Sequence, residues 1–281
     1  MNEHLGFWQA LTEFAFMRQA LVAALIVGGL CSVLSVYVVL RRMAFIGQGI
    51  SHAAFGGIAL GLLLFGASPA GGVAVSLVTA VFCLAVAVLI GVVSQRGRMS
   101  ADSAIGIFFA FSMALGVLFV SLRHLYTADL MTYLFGSILA VSADDLKLMA
   151  ALGALILGFI GLSFKELIYF SFDSQMAWAS GLPTGFYHYA LLTMLALTIV
   201  VSAKVVGVVL VSAFLVIPGA TARLVCSRFG STMAVAVGFG VLSAFLGLYA
   251  SHLWNVPTGA TIVITQFVGF SIAWLIAGRG R

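Results

Sequence analysis

Residues 19–42 read QALVAALIVGGLCSVLSVYVVLRR. Twenty-two residues pass without a charge before Arg41 and Arg42 close the run. As a helix rising 1.5 Å per residue, the run reaches about 33 Å, enough for the roughly 30 Å hydrocarbon core of a bilayer. A surface helix of a soluble domain would carry charged residues along one face, and this one carries none. It is a membrane span. The rest of the chain obeys the same rule: of 281 residues, 63% are hydrophobic and 7% charged, with a mean hydropathy of +1.22. Soluble domains carry about 25% charged residues, so this chain has too little polar surface to fold compactly in water. A soluble enzyme is excluded. With only 4 prolines, so is a collagen-like or disordered chain.

Outward from this run the pattern repeats. Stretches long enough to cross lie at 19–40, 50–66, 71–94, 102–122, 144–163, 187–203, 205–225, 232–253 and 258–277. Barrel strands would alternate in short segments instead, so the expected fold is all-α: one integral membrane domain over residues 1–281 with about nine helices. The stretch from Tyr187 to Val225 must hold two spans joined only by the residues around Lys204, and Pro218 should kink the second. Eight clean spans plus a broken one fit equally well. Leu130–Val141 is too short to cross, since twelve helical residues reach about 18 Å, and should be re-entrant or interfacial.

Arginines and lysines orient the spans. With the N-terminus outside, Arg41, Arg42, Arg96, Arg98, Lys165, Arg223, Arg228, Arg279 and Arg281 fall inside, against Arg18, Arg123, Lys147 and Lys204 outside. Nine against four is the bias of inner loops, and it asks for an odd number of crossings and a cytoplasmic C-terminus. The first run follows an acidic lead (Glu3, Glu13), so it is expected to be retained rather than cleaved as a signal peptide. The net charge is +5, but the basic residues are spread too thinly for a nucleic-acid surface. Cys31, Cys83 and Cys226 are isolated in apolar runs and give neither a disulfide framework nor zinc spacing.

Three stretches could carry chemistry. In the first, Arg41 to Ala54, Gln48 and His52 are i,i+4 neighbours sharing a helix face. They could touch one ion, or the histidine could hydrogen-bond a neighbouring helix; spacing alone fits both. The second runs from Lys165 to Pro183, the longest inner loop. Asp173 suits an N-cap and Gly181 a helix stop, leaving a helix of about two turns between them, marginal alone in water. It makes sense docked on a partner, or as an ordinary interfacial loop. The third, Lys204 to Arg223, contains Pro218 and Gly219, a break of the kind that lines transporter cavities. There is no phosphate-binding loop, so any ATP is hydrolysed by another polypeptide. Ser51-His52 and Ser251-His252 cannot act as hydrolase pairs, because adjacent helical residues point about 100° apart. No enzyme is expected. An ion-coupled carrier would need acidic or basic groups at mid-membrane; all eight Asp and Glu fall at expected ends or loops, which leaves His52 as the best buried titratable candidate.

In order along the chain, these motifs resemble the membrane permease subunits of the ABC importers for zinc, manganese and iron. The family's RRM…GDxxSHA stretch reads Arg41 to Ala53 here, and DLMxYLFG reads Asp129 to Gly136. SxDxxxAxxxG reads Ser171 to Gly181, KxVGxxLxxxLLxxPxxTAR reads Lys204 to Arg223, and a late PxG reads Pro257 to Gly259. The resemblance covers nearly everything from Arg18 onward. It implies a fold related to that of the vitamin B12 permeases but lacking their first helix, in a multi-pass prokaryotic plasma membrane protein. It also implies a homodimer around a central path, two cytoplasmic ATP-binding subunits and an extracytoplasmic metal-binding protein. No permanent cofactor is implied: the metal is cargo and ATP sits on the partner. By the same resemblance Asp173, Ala177 and Gly181 form the ATPase-coupling helix, with Ala177 facing the partner, and Leu130–Val141 belongs to the outer gate. His52 and Gln48 are the implied metal contacts. The family commonly has Asp where this chain has Gln48, so the site should hold its ion weakly or prefer an ion with strong affinity for nitrogen. A chelated metal or corrinoid is the alternative cargo, and a proton-coupled carrier the more distant one.

Overall fold

The computed structural model describes residues 7–66, 71–95, 99–123 and 141–278. The DLMxYLFG stretch and all of the short apolar run but Val141 lie outside them, as do Arg96, Arg98, Arg279 and Arg281. Every described element is a helix: α1 (Phe7–Glu13), α2 (Ala15–Leu40), α3 (Ala44–Phe65), α4 (Gly71–Gln95), α5 (Ala101–Arg123), α6 (Ala143–Leu162), α7 (Phe164–Phe172), α8 (Ser174–Ala179), α9 (Thr184–Val206), α10 (Val208–Phe214), α11 (Ile217–Val225), α12 (Phe229–Trp254) and α13 (Thr258–Gly278). Among the described residues eight, α2 to α6, α9, α12 and α13, are long and apolar enough to cross a membrane. The ninth stretch is the broken one. Gly207, at φ +92°, separates α9 from α10, and α10 stops at Leu215 before α11 begins. The break expected at Pro218 is present, but as a fresh helix start rather than a kink within one long helix: Pro218 sits in the first turn of α11, where a missing N–H costs nothing.

Local chemistry sets the other ends. At the end of α2, Arg42 takes φ +55°, and the Met43 and Arg42 N–H groups donate to Val38 O at 2.9 Å and Val39 O at 3.2 Å. These two bonds close the helix in a Schellman turn with an arginine at the position usually held by glycine. At the start of α6, Ser142 Oγ accepts the Asp145 N–H at 3.1 Å while the Asp145 carboxylate accepts the Ser142 N–H, a capping box.

Packing is set by glycine. α3 lies between α4 and α5: a Cβ on Gly57 or Gly61 would fall 2.8 Å from Thr79 Cα or 2.9 Å from Val75 Cα, and one on Gly56 2.9 Å from Ser112 O. Backbones approach this closely only without side chains between them, which is how helices associate in lipid. Two-thirds of the α2 and α3 spans are buried (67%) against 17% of α5 and α13. The first two are central and the others line the rim, where Phe111, Val117, Phe267 and Ile276 stay exposed for lipid.

The bundle has two distinct ends. At one, Phe7 packs edge-on to Phe245, Tyr249 and His252 of α12. At the other, Phe229 at the start of α12 meets Tyr37, Phe164 and Phe172. α13 returns antiparallel to α12, with Ile262 against Gly247 and Phe239 against Gly269. Phe7 and Gly278 therefore lie at opposite ends of the bundle.

Candidate functional site

The α3 helix starts at Ala44, six residues earlier than its apolar run, and so carries both Gln48 and His52. They share a face. Gln48 is exposed, and His52 is half-buried with its ring edge-on to Phe109 at 4.6 Å. Among the described residues His52 Nδ1 is buried with no hydrogen-bond partner. A ring nitrogen hidden from water and left unpaired is costly, and no described neighbouring helix supplies Nδ1 with a partner. Beside it Gln48 lines an open depression of about 220 Å³ between α3 and α5, together with Phe45, Gly49, Asp102, Ile105, Gly106 and Phe109. By sequence Asp102 stands at the end of a span with no role of its own; the structure sets it in the same depression as Gln48. Among the described residues no three His, Cys, Asp or Glu side chains converge on one point, so a single copy does not form a closed metal cage.

The second expected site is an elbow at the Phe229 end. α7 fills the first half of the stretch read as a loop, and α8 follows it after a single residue. That residue is Asp173, whose Oδ1 accepts the N–H groups of Gln175 at 2.9 Å and Met176 at 3.0 Å. Gly181 ends α8 at φ +86°: its N–H donates to Trp178 O at 2.9 Å and the Leu182 N–H to Ala177 O at 3.0 Å, a Schellman closure. The Tyr169 hydroxyl ties α7 to α8, donating to Met176 O at 3.2 Å and lying 2.8 Å from Ser180 Oγ. Ala177 faces the opposite way from the expectation. It is fully buried within its own chain, while Met176 and Trp178 on either side are 58% and 72% exposed. Helical geometry forces this once the elbow packs on the bundle, because adjacent side chains diverge by about 100°.

Arg41 anchors the elbow to α2. Its Nη1 donates to Phe170 O at 3.2 Å, and its guanidinium lies 4.2 Å from the centre of the Phe170 ring. Burial disfavours the charge there and pulls the Arg41 pKa below its ordinary value. Next to it a cavity of about 300 Å³ is lined by Leu40, Arg42, Ser171, Phe172 and Arg223, with two cationic side chains and no acid. Arg223 is held there by α11, whose Gly219 N–H donates to Ser35 Oγ at 2.8 Å on α2.

A family described as the ABC 3 transport family matches residues 13–277. The manganese transport system membrane protein MntC of Halalkalibacterium halodurans is 37% identical over 279 residues, covering 99% of this chain and 93% of that protein. A protein of Haemophilus influenzae named "Probable iron transport system membrane protein" is 36% identical, covering 93% of each. Among solved structures, PsaBC from Streptococcus pneumoniae in complex with Fab superposes with a TM-score of 0.84 at 34% identity, covering 95% of this chain and 94% of that one.

Proposed function

The chain belongs to the ABC 3 transport family, and from that premise we propose that it is the membrane permease of an ATP-driven importer for a divalent transition metal, manganese ahead of iron and zinc. The observation that carries the reading is its full-length similarity to a manganese transport membrane protein. The chemistry of the α3 face agrees: an amide oxygen beside an unpaired imidazole suits brief contact with a metal ion rather than storage. His52 and Gln48 are the metal contacts. Two copies around a shared path complete what one copy leaves open.

ATP hydrolysis belongs to separate cytoplasmic subunits docked on the α7–α8 elbow. Asp173 and Gly181 shape that elbow, Ala177 seats it on the bundle, and Trp178, Met176 and the Arg42–Arg223 cavity are offered to the partner. The elbow end is cytoplasmic, as the arginine bias asks, which puts the N-terminus outside and the C-terminus inside the prokaryotic plasma membrane. An extracytoplasmic protein delivers the ion at the Phe7 end. The test is uptake in a host stripped of its own manganese importers, expressing this chain with its ATPase and binding protein. Radioactive manganese should accumulate in an ATP-dependent way. Accumulation of zinc or iron alone reassigns the cargo, and no metal-dependent accumulation overturns the reading.

A further inference from the structure

Resting on the transport reading above, we propose that Asp102 supplies the carboxylate of a cation site that it forms with Gln48 at the open end of the α3–α5 groove. Register places the two together. α3 and α5 run parallel, since Gly49 abuts Ile105, His52 faces Phe109 and Gly56 abuts Ser112 in rising order on both helices. Along the seam Phe45, Gln48, Gly49 and His52 stand at helical spacing on one side, with Asp102, Ile105, Gly106 and Phe109 opposite. By that register Asp102 stands level with Phe45 and Ile46, less than one turn from Gln48, and both side chains line the one depression. Every other described residue lining the depression is apolar or glycine.

The Asp102 carboxylate is not consumed by the helix start. Ser100 does that work: its Oγ accepts the Ser103 N–H at 3.1 Å and its carbonyl accepts the Ala104 N–H at 3.1 Å. Among the described residues nothing pairs with Asp102 by hydrogen bond or salt bridge. A carboxylate and an amide oxygen are hard donors that suit a divalent cation still carrying much of its water. Gln48 brings no charge; Asp102 brings one per chain to the same depression. His52 lies four residues deeper, about 6 Å along the helix, so an ion leaving its imidazole meets this pair next. The acid that position 48 lacks is supplied from the neighbouring helix.

The test uses the full chain in lipid nanodiscs and manganese(II) alone, titrated to millimolar concentration with free ion followed by electron paramagnetic resonance. Asp102→Asn should weaken binding about tenfold or more, and Asp102→Glu should recover part of it. A second measurement reads proximity without metal transport. In a Cys226→Ser background, the paired Gln48→Cys and Asp102→Cys substitutions should be bridged by cadmium and shielded from maleimide, whereas either single thiol stays reactive. Unchanged manganese binding in Asp102→Asn, or paired thiols that cadmium does not shield, overturns the site. Asp102-dependent binding in a protein whose complete complex imports no metal keeps the site and overturns the transport reading. Import that Asp102→Asn leaves unaffected, with binding unchanged, keeps transport and overturns the site.

Discussion

Trp178 is the residue on which the docking surface can be tested most cleanly. It is 72% exposed on a six-residue helix whose own geometry is held from elsewhere, by the Asp173 cap, the Gly181 closure and the Tyr169 hydroxyl. A tryptophan side chain offers about 150–250 Å² for burial, so at least roughly 100 Å² of Trp178 remains free for a partner. At about 25 cal/mol per Å², covering that area stabilises a complex by about 2–3 kcal/mol, roughly thirtyfold to 150-fold in Kd. Trp178→Ala should therefore weaken binding of the ATPase subunit by that factor, with the thermal midpoint of the permease alone unchanged. Affinity is read by titrating labelled ATPase onto the permease in nanodiscs. Ala177→Leu provides the contrast: forcing bulk into a fully buried position costs about 1–3 kcal/mol of the fold itself, so the thermal midpoint falls along with binding. Full ATPase affinity in Trp178→Ala refutes the reasoning, because a hydrophobic residue that exposed cannot lie in the interface without contributing to it.

Two further outcomes follow from the helix contacts. His52→Ala should abolish manganese uptake while dimer and ATPase assembly, measured by size-exclusion chromatography of the complex, stay intact; unchanged uptake makes the histidine a packing residue. Gly219→Ala sets a Cβ 2.6 Å from the Ser35 carbonyl oxygen and 2.7 Å from its Oγ, so α11 must back away from α2. The expected loss is about 1–3 kcal/mol, seen as a lower thermal midpoint in detergent, and an unshifted midpoint removes the close approach of these helices as a stabilising feature.

How much of this could be read from sequence depends on how local each decision is. Lipid imposes a simple rule on every crossing, so the apolar runs around Val27, Val86 or Ile262 declared themselves one by one. The Asp173 cap and the Gly181 stop were equally legible, since capping is settled within four residues. The break at Pro218 was legible but its form was not, because the same residue kinks a helix interior or starts a new helix, and only the stop at Leu215 decides which. Ala177 was misjudged for a related reason: six residues are too few to carry a periodic stripe, so the buried side of α8 is chosen by the bundle beneath it. Asp102 needed the most distant information. Its significance rests on α3 and α5 being parallel neighbours with all of α4 between them in the chain, and on a register fixed by Gly49 and Gly56. A side chain at a span end is solvated by default, and only a neighbour of matching chemistry on another helix changes that. Gln48 is that neighbour. On the proposal above, the carboxylate that position 48 lacks when read along one helix comes from across the groove, where no reading along the chain could find it.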